Sequence, residues 1–387
     1  MSDSPGRMAT VLQVLPALGA GGGVERGTVE IARAITEAGG RALVASSGGP
    51  LVHDLTRIGA DHIELPMHTK SPTGIWSNIG KLEQLIREQN VDIVHARSRA
   101  PAWSAYYASK RTKARFLTTF HGTYSSGNML KRQYNSVMTR GQKMIAISRF
   151  IAGHARRIYG VPGSKIRIIH RGVDLDKFDP HKVSAERVIN LANSWRLTDG
   201  LPVVMLPGRL TRWKGQTVFI EAIASLKRRD IRCLLVGGDQ GRSEYRSELE
   251  ALVNRHDLNE VVRIVDHCDD MSAAYMQSDI VVSASTDPEA FGRVMIEGQA
   301  MGRTVIASNH GGAQESIIDG KTGFLAEPGD SEALAKAIHD ALAMNENQRN
   351  TLVEAAQKNA RDNFSLQRMS EKTLEVYDEL LQLGPMR

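Results

Sequence analysis

At 387 residues the chain is longer than one hydrophobic core usually serves, so two domains are expected. Its 41% hydrophobic and 24% charged residues have the balance of an ordinary soluble globular protein, and two cysteines, Cys233 and Cys268, are too few for a disulfide framework or a structural zinc site. A formal charge of +6 and a pI near 9.3 favour anionic partners, among them nucleic acid, acidic lipid headgroups and phosphorylated sugars.

No run approaches about 18 uninterrupted apolar residues, and the first nine residues carry no apolar secretory core, so a cytoplasmic location is expected. Residues 9–15, ATVLQVL, predict a first strand, and 24–38 a helix with apolar positions at Val29, Ile31, Ala32 and Ile35. Between them the run Gly19, Ala20, Gly21, Gly22, Gly23 forms a turn leading into a helix N-terminus. Backbone N–H groups and the helix dipole can meet a phosphate there. A dinucleotide fingerprint beginning at Gly19 would need glycine where Val24 stands, which disfavours hydride transfer.

Strand-like runs at 41–46, 62–65, 91–95, 115–120, 144–147 and 166–169 alternate with helix-like stretches at 51–58, 75–88, 102–109 and 150–159. That alternation predicts a parallel sheet wrapped by helices. Ligands of such sheets gather beyond the carboxyl ends of the strands. His95 and Arg97 fall at one such end and His121 at another. The planar forks of Arg97 and Arg99 suit an acidic acceptor, and equally a surface carboxylate. Trp103, Tyr106 and Tyr107 precede the basic run Lys110, Arg111, Lys113, Arg115, with Lys131 and Arg132 beyond it. This face suits a membrane surface or a solvated helix face.

A polar stretch at 184–196 marks the crossing to a second domain, with the boundary placed after residue 180. Strands are then predicted at 203–207, 232–236, 262–265, 279–285, 304–307 and 323–325. Helices are predicted at 216–229, 243–256, 292–301, 331–343, 348–363 and 366–383. The fold class is α/β, two Rossmann-like domains with parallel sheets, and a ligand cleft is expected between them. The loop after the strand at 279–285 carries Asp287, Pro288 and Glu289. Glu297 follows roughly one turn into the next helix, at about 5.4 Å per turn. After the first strand of this series comes Gly208, Arg209, Leu210, Thr211, Arg212, Trp213, Lys214, Gly215, a loop with cations between glycines. Asp269 and Asp270 are adjacent and precede a helix, so no Asp-x-Asp metal clamp is formed.

Glu289, Ala290, Phe291, Gly292, the spacing to Glu297, and the later Gly311, Gly312, Ala313, Gln314, Glu315 resemble the E-x7-E signature and Gly-Gly loop of glycosyltransferase family 4. These are retaining enzymes of the two-domain GT-B type. Gly22, Gly23, Val24, Glu25 resemble the family's GG-x-E element, which approaches the donor diphosphate. His121-Gly122 resembles its His-Gly element, whose histidine lies against the donor hexose. Gly208 to Gly215 resembles the G-R-x4-K-G element, in which the positions of Arg209 and Lys214 hold the donor phosphates. His170 and Arg171 replace Pro-Asn in a turn otherwise like P-N-G-V-D. The resemblance implies that Glu297 binds the ribose and that Glu289, with the backbone of Phe291 and Gly292, holds the hexose. It also implies that residues 365–387 cross back to the first domain.

The expected activity is therefore transfer of a hexose from a GDP- or UDP-linked sugar to an acceptor hydroxyl, with no metal and no cofactor. His121, Glu289, Arg209 and Lys214 are the catalytic candidates. Gly22, Gly23, Phe291, Gly292, Glu297, His95 and Arg97 are the substrate-binding ones. The acceptor is a glycan or glycolipid of the cell envelope, such as a lipopolysaccharide core, with the protein at the inner face of the membrane and no nucleic acid bound. Two alternatives stay open. A sugar-nucleotide epimerase of the same architecture would need no acceptor, and a non-enzymatic polyanion binder would ignore nucleotide sugars.

Overall fold

The computed structural model describes residues 9–19, 22–124, 127–241 and 243–386. The chain divides into two compact units, Met1–His170 joined by Gln367–Arg387, and Arg171–Leu366.

In the first unit seven strands pair in parallel. They are β1 (Thr10–Val14), β2 (Arg41–Ser46), β3 (Asp61–Glu64), β4 (Ile93–Ala96), β5 (Arg115–Phe120), β6 (Lys143–Ala146) and β7 (Ile166–Ile168), in the order β3-β2-β1-β4-β5-β6-β7. The central strands β1 and β4 are buried along their whole length, because helices cover both faces of the sheet and leave no position for a solvated side chain. The helices are α1 (Gly23–Glu37), α2 (Val52–Arg57), α3 (Pro72–Glu88), α4 (Arg99–Thr112), α5 (Met129–Asn135) and α6 (Arg149–Tyr159). Helix α5 was not legible as a periodic segment. It buries only Asn135 and is started by a local device, the side chain of Asn128 accepting from Lys131 N at 2.8 Å.

The second unit repeats the plan with six parallel strands. These are β8 (Val203–Pro207), β9 (Arg232–Val236), β10 (Val262–Val265), β11 (Ile280–Ser283), β12 (Thr304–Ser308) and β13 (Phe324–Ala326), in the order β10-β9-β8-β11-β12-β13. Around them lie α7 (Ala185–Ser194), α8 (Gln216–Leu226), α9 (Ser243–Arg255), α10 (Met271–Met276), α11 (Arg293–Ala300), α12 (Ala313–Ser316), α13 (Ser331–Ala343) and α14 (Glu346–Phe364). In both sheets the strand order turns back beside the first strand, at β1/β4 and β8/β11. Such a switch point opens a crevice at the carboxyl edge of a sheet.

The expected boundary after residue 180 lies about ten residues too late. Residues 171–180 belong to the second unit because they are tied to the end of α14 and to α10. Val173 N donates to Phe364 O at 2.7 Å, Leu366 N to Val173 O at 2.9 Å, and Ser272 Oγ to Lys177 O at 2.7 Å.

The last helix, α15 (Leu366–Gln382), packs on the first unit with Met369, Val376, Tyr377 and Leu380 buried, each contributing about 1.5–3 kcal/mol. It also binds the sheet through polar groups. Arg115 donates to the carbonyls of Leu380 and Leu381, so this arginine belongs to the helix seam and not to the basic surface expected of it. Glu379 takes ion pairs from Arg167 and Lys143. No helix among the described residues is long and apolar enough to cross a membrane.

Candidate functional site

The second unit builds its site from two loops at the carboxyl edge of its sheet, one after β8 and one after β11. They are knit together by backbone. Thr286 N donates to Trp213 O at 2.8 Å, and Gly215, at φ +74°, passes so close to β11 that a Cβ there would stand 1.8 Å from Ala284 O. Glycine is the residue that allows this approach, and it sets Lys214 facing the other loop.

There Lys214 Nζ forms an ion pair with Glu289 Oε1, and Ser285 Oγ donates to the same oxygen at 2.8 Å. The side chains of Lys214 and Glu289 are only 14% and 12% exposed. Pairing and hydrogen bonding offset the partial loss of water around the two charges. The ammonium also stands 4.6 Å from the centre of the Trp213 ring. An ammonium has three donors, so one spent on Glu289 leaves others for a ligand. Arg209 differs. It is exposed, and its guanidinium donates to Gln240 Oε1 at 3.5 Å.

Beneath this loop the Gly311–Gly312 turn acts as a gasket. Gly312 N donates to Glu289 O at 2.8 Å, and a Cβ on Gly312 would meet Phe291 Cα at 2.4 Å. Phe291 is 2% exposed and packs on Phe364 with ring centres 5.6 Å apart. Its ring anchors the loop. Gly292 (φ +83°) caps α11, and the direction its side chain would take is filled by the methyl of Met295.

Glu297 lies one turn into α11 and is 8% exposed. Tyr275 Oη donates to its Oε2 at 2.8 Å, and Arg293 Nε lies 3.6 Å from Oε1. Burial, reinforced by that carboxylate, pushes the Tyr275 hydroxyl well above its usual range, so it remains a donor. The two glutamates thus sit in different groups, Glu289 hydrogen-bonded with Lys214 and Ser285, Glu297 hydrogen-bonded with Tyr275 and ion-paired with Arg293.

In the first unit, Ala20 and Gly21 of the glycine-rich turn lie outside the described residues. Gly22 caps α1 and Gly23 begins it. The Glu25 carboxylate folds back over Gly22, where a Cβ would stand 1.7 Å from its Oε2. His121 follows β5 directly, half-buried, with its backbone bonded to the Tyr124 hydroxyl.

His95 and Arg97 depart from expectation. His95 is fully buried, with Nδ1 2.8 Å from the Tyr377 hydroxyl and Nε2 2.7 Å from Thr119 Oγ1. Burial, aided by the nearby Arg97 charge, lowers its pKa well below the ordinary value, so it is a neutral brace with both ring nitrogens in use. Arg97 is 2% exposed; burial works against its charge, and Tyr377 and Glu30 favour it. Helix α15 covers this strand end and draws its polar groups into the interior, so neither residue is placed to meet an acceptor. Tyr275, Ser285 and Tyr377 were missed. Of these only Ser285 carried a local signal, being four residues before Glu289 on the same loop. Among the described residues no group of three or more His, Cys, Asp or Glu is placed to hold a metal ion.

Sequence and structure comparisons agree with this layout. A family profile described as Glycosyltransferase Family 4 matches residues 21–177, and one described as Glycosyl transferases group 1 matches residues 189–359. The crystal structure of a glycosyltransferase from Rickettsia africae ESF-5 superposes with a TM-score of 0.91 at 41% identity, covering 97% of this chain and 99% of that one. Anabaena HepE, solved in complex with UDP-glucose, superposes with a TM-score of 0.83 at 24% identity, covering 96% and 99%. The D-inositol 3-phosphate glycosyltransferase of Xylanimonas cellulosilytica is 26% identical over 96% of this chain and 95% of its own. With two parallel-sheet units, matching profiles over both and a near full-length relative at 41% identity, the chain belongs to the family 4, group 1 glycosyltransferases of the GT-B fold.

Proposed function

We propose that the enzyme is a retaining hexosyltransferase that moves a hexose from a GDP- or UDP-linked sugar to a hydroxyl of a cell-envelope glycan or glycolipid, a lipopolysaccharide core being one such acceptor. The observation that carries this reading is the largely enclosed Lys214 ammonium, 14% exposed, held on Glu289 with donors to spare at the carboxyl edge of a parallel sheet. A diphosphate gains negative charge as the sugar–oxygen bond breaks. A fixed cation out of water stabilises that charge more than solvent does. Arg209, on an exposed arm of the same loop, would close on the phosphates, and the amides at Gly22 and Gly23 would add the dipole of α1.

Glu289 would take hexose hydroxyls together with the backbone of Phe291 and Gly292, Glu297 the ribose, and His121 the hexose from the first unit, which also holds the acceptor. On the described loops around Lys214 the hydroxyl that stands beside a carboxylate is that of Ser285, and the carboxylate oxygen it meets is already held by Lys214. That arrangement favours front-side displacement, in which the leaving phosphate oxygen accepts the acceptor's proton. Lys and Arg would supply the charge that a divalent ion supplies elsewhere. HepE bound to UDP-glucose supports the donor class, and the inositol phosphate relative supports an acceptor that carries negative charge. A glycolipid acceptor would bring the enzyme to the inner membrane face.

The test is incubation with GDP-mannose, UDP-glucose and UDP-N-acetylglucosamine in turn, with and without a lipid-linked glycan, followed by chromatography. Nucleoside diphosphate released together with a glycosylated product, and only when acceptor is present, is the expected result. An epimerised nucleotide sugar formed without acceptor would replace this reading with the epimerase.

A further inference from the structure

The positive charge of the chain is not spread evenly. Between Asp92 and Asp174 there are sixteen Lys and Arg residues and no Asp or Glu. The rest of the chain holds thirty-three basic against forty-three acidic residues and is net acidic. Of the sixteen, Arg97 and Arg171 are buried and Arg115, Lys143 and Arg167 are engaged with α15, but Lys110, Arg111, Lys113, Lys131 and Arg132 are exposed, and such an exposed basic group suits an anionic partner.

Beside these exposed basic residues, on α4 and α5 and on the neighbouring α3, lies an apolar surface that no packing accounts for. Seven large hydrophobic side chains are exposed among the described residues, and four of them lie on α3, α4 and α5. They are Trp76 (66%), Tyr107 (42%), Met129 (85%) and Leu130 (81%). Contacts join these helices. The Arg111 guanidinium lies 6.0 Å from the centre of the Trp76 ring, and Trp103 stacks on Tyr107 at 6.2 Å and donates from Nε1 to Tyr134 O of α5 at 3.0 Å. Met129 and Leu130 begin α5 and are followed at once by exposed Lys131 and Arg132.

We infer that α3, α4 and α5 form a docking face for an anionic lipid bilayer. Met129 and Leu130 enter the headgroup boundary, Trp76 and Tyr107 lie at its level, and the surrounding Lys and Arg pair with lipid phosphates. Aromatic rings with a polar edge favour that depth. Marginal apolar insertion and electrostatic attraction together give stable peripheral binding where either alone is weak. A nucleic acid would use the charge and leave two adjacent aliphatic side chains in water. The inference does not depend on the sugar-transfer reading, since the lipid surface needs no donor or acceptor.

The test is flotation of the full chain with vesicles of phosphatidylcholine alone and of phosphatidylcholine with phosphatidylglycerol, at low and high salt. Binding at least about tenfold stronger to the anionic vesicles, weakened by salt, is expected. The double variant Met129→Glu with Leu130→Glu should lose that binding by a further tenfold or about that, with an unchanged melting temperature, because both side chains are already in solvent. Ile318→Glu, at a 53% exposed site in the other unit, should bind as wild type does. Equal binding to neutral and anionic vesicles, or full binding by the double variant, overturns the proposal. So does duplex DNA binding without vesicle binding, or a dimer that the double variant disperses.

Discussion

Lys214 and Glu289, 75 residues apart in the chain, are joined in an ion pair that is nearly closed to solvent. The pair fixes the direction of the ammonium before a donor arrives, so little reorganisation remains to be done during the reaction. Lys214→Ala is therefore expected to lower kcat by about 10²–10³, equivalent to about 2.7–4 kcal/mol of barrier. The double variant with Glu289→Ala should lose less than the sum of the single losses, because the partners share one interaction. Steady-state kinetics of the three variants checks both statements.

Ser285 donates to the carboxylate oxygen that also takes Lys214, which makes it a positioning residue for Glu289. Ser285→Ala should weaken binding of a nucleotide sugar more than binding of the corresponding nucleoside diphosphate, since in the proposed function only the sugar calls on Glu289. A loss of about 0.5–1.5 kcal/mol, the net worth of one hydrogen bond, is expected. Ser285→Thr, which keeps the hydroxyl, should recover most of it. Equal losses for both ligands by calorimetry would show that Ser285 only supports the loop.

The buried Tyr275 hydroxyl has Glu297 as its hydrogen-bond partner. Tyr275→Phe leaves that carboxylate short of a donor while keeping the ring that packs on Phe178. Unfolding by urea should show a stability loss of about 1–3 kcal/mol. The ribose affinity should fall with it, as seen by comparing a free nucleoside diphosphate on the two proteins.

Much of this architecture was legible in the sequence because it is written in local period. Short β-branched runs alternating with helical spacing marked every strand of both sheets to within about two residues, the usual uncertainty of element ends. Glu289 and Lys214 were singled out by the motifs at strand ends, while Ser285, four residues before Glu289, was missed. The fates of His95, Arg97 and Arg115 were not legible. Each meets α15, which begins some 250 residues later: Tyr377 bonds His95 and lies near the buried Arg97, and the carbonyls of Leu380 and Leu381 take Arg115. No periodicity in β4 or β5 reports a helix so distant. Helix α5 was hidden for the opposite reason, since it faces solvent and has no apolar stripe to betray it.

Helix α15 also makes stability depend on pH. Partial burial works against the Glu379 carboxylate, but hydrogen bonds from Arg167 and Lys143 outweigh it and hold its pKa below the ordinary 4.5. A carboxylate lowered by folding contributes stability that is full above its unfolded pKa and is lost as the pH falls through the lower folded value. Urea unfolding of wild type and Glu379→Gln should therefore differ near neutral pH, and the difference should shrink once the pH drops below about 4. A constant difference down to the acid limit would show that the pair is not what stabilises the helix.

The central claim is that Lys214 and its loop receive the phosphates of a nucleotide sugar. Calorimetric titration of GDP-mannose, UDP-glucose and UDP-N-acetylglucosamine into the wild-type chain and into Lys214→Ala tests it most directly. The account predicts saturable binding of at least one of these by the wild type, and an affinity at least about a hundredfold lower for the variant, a difference of some 2.7 kcal/mol. Equal affinity in the two proteins would contradict it.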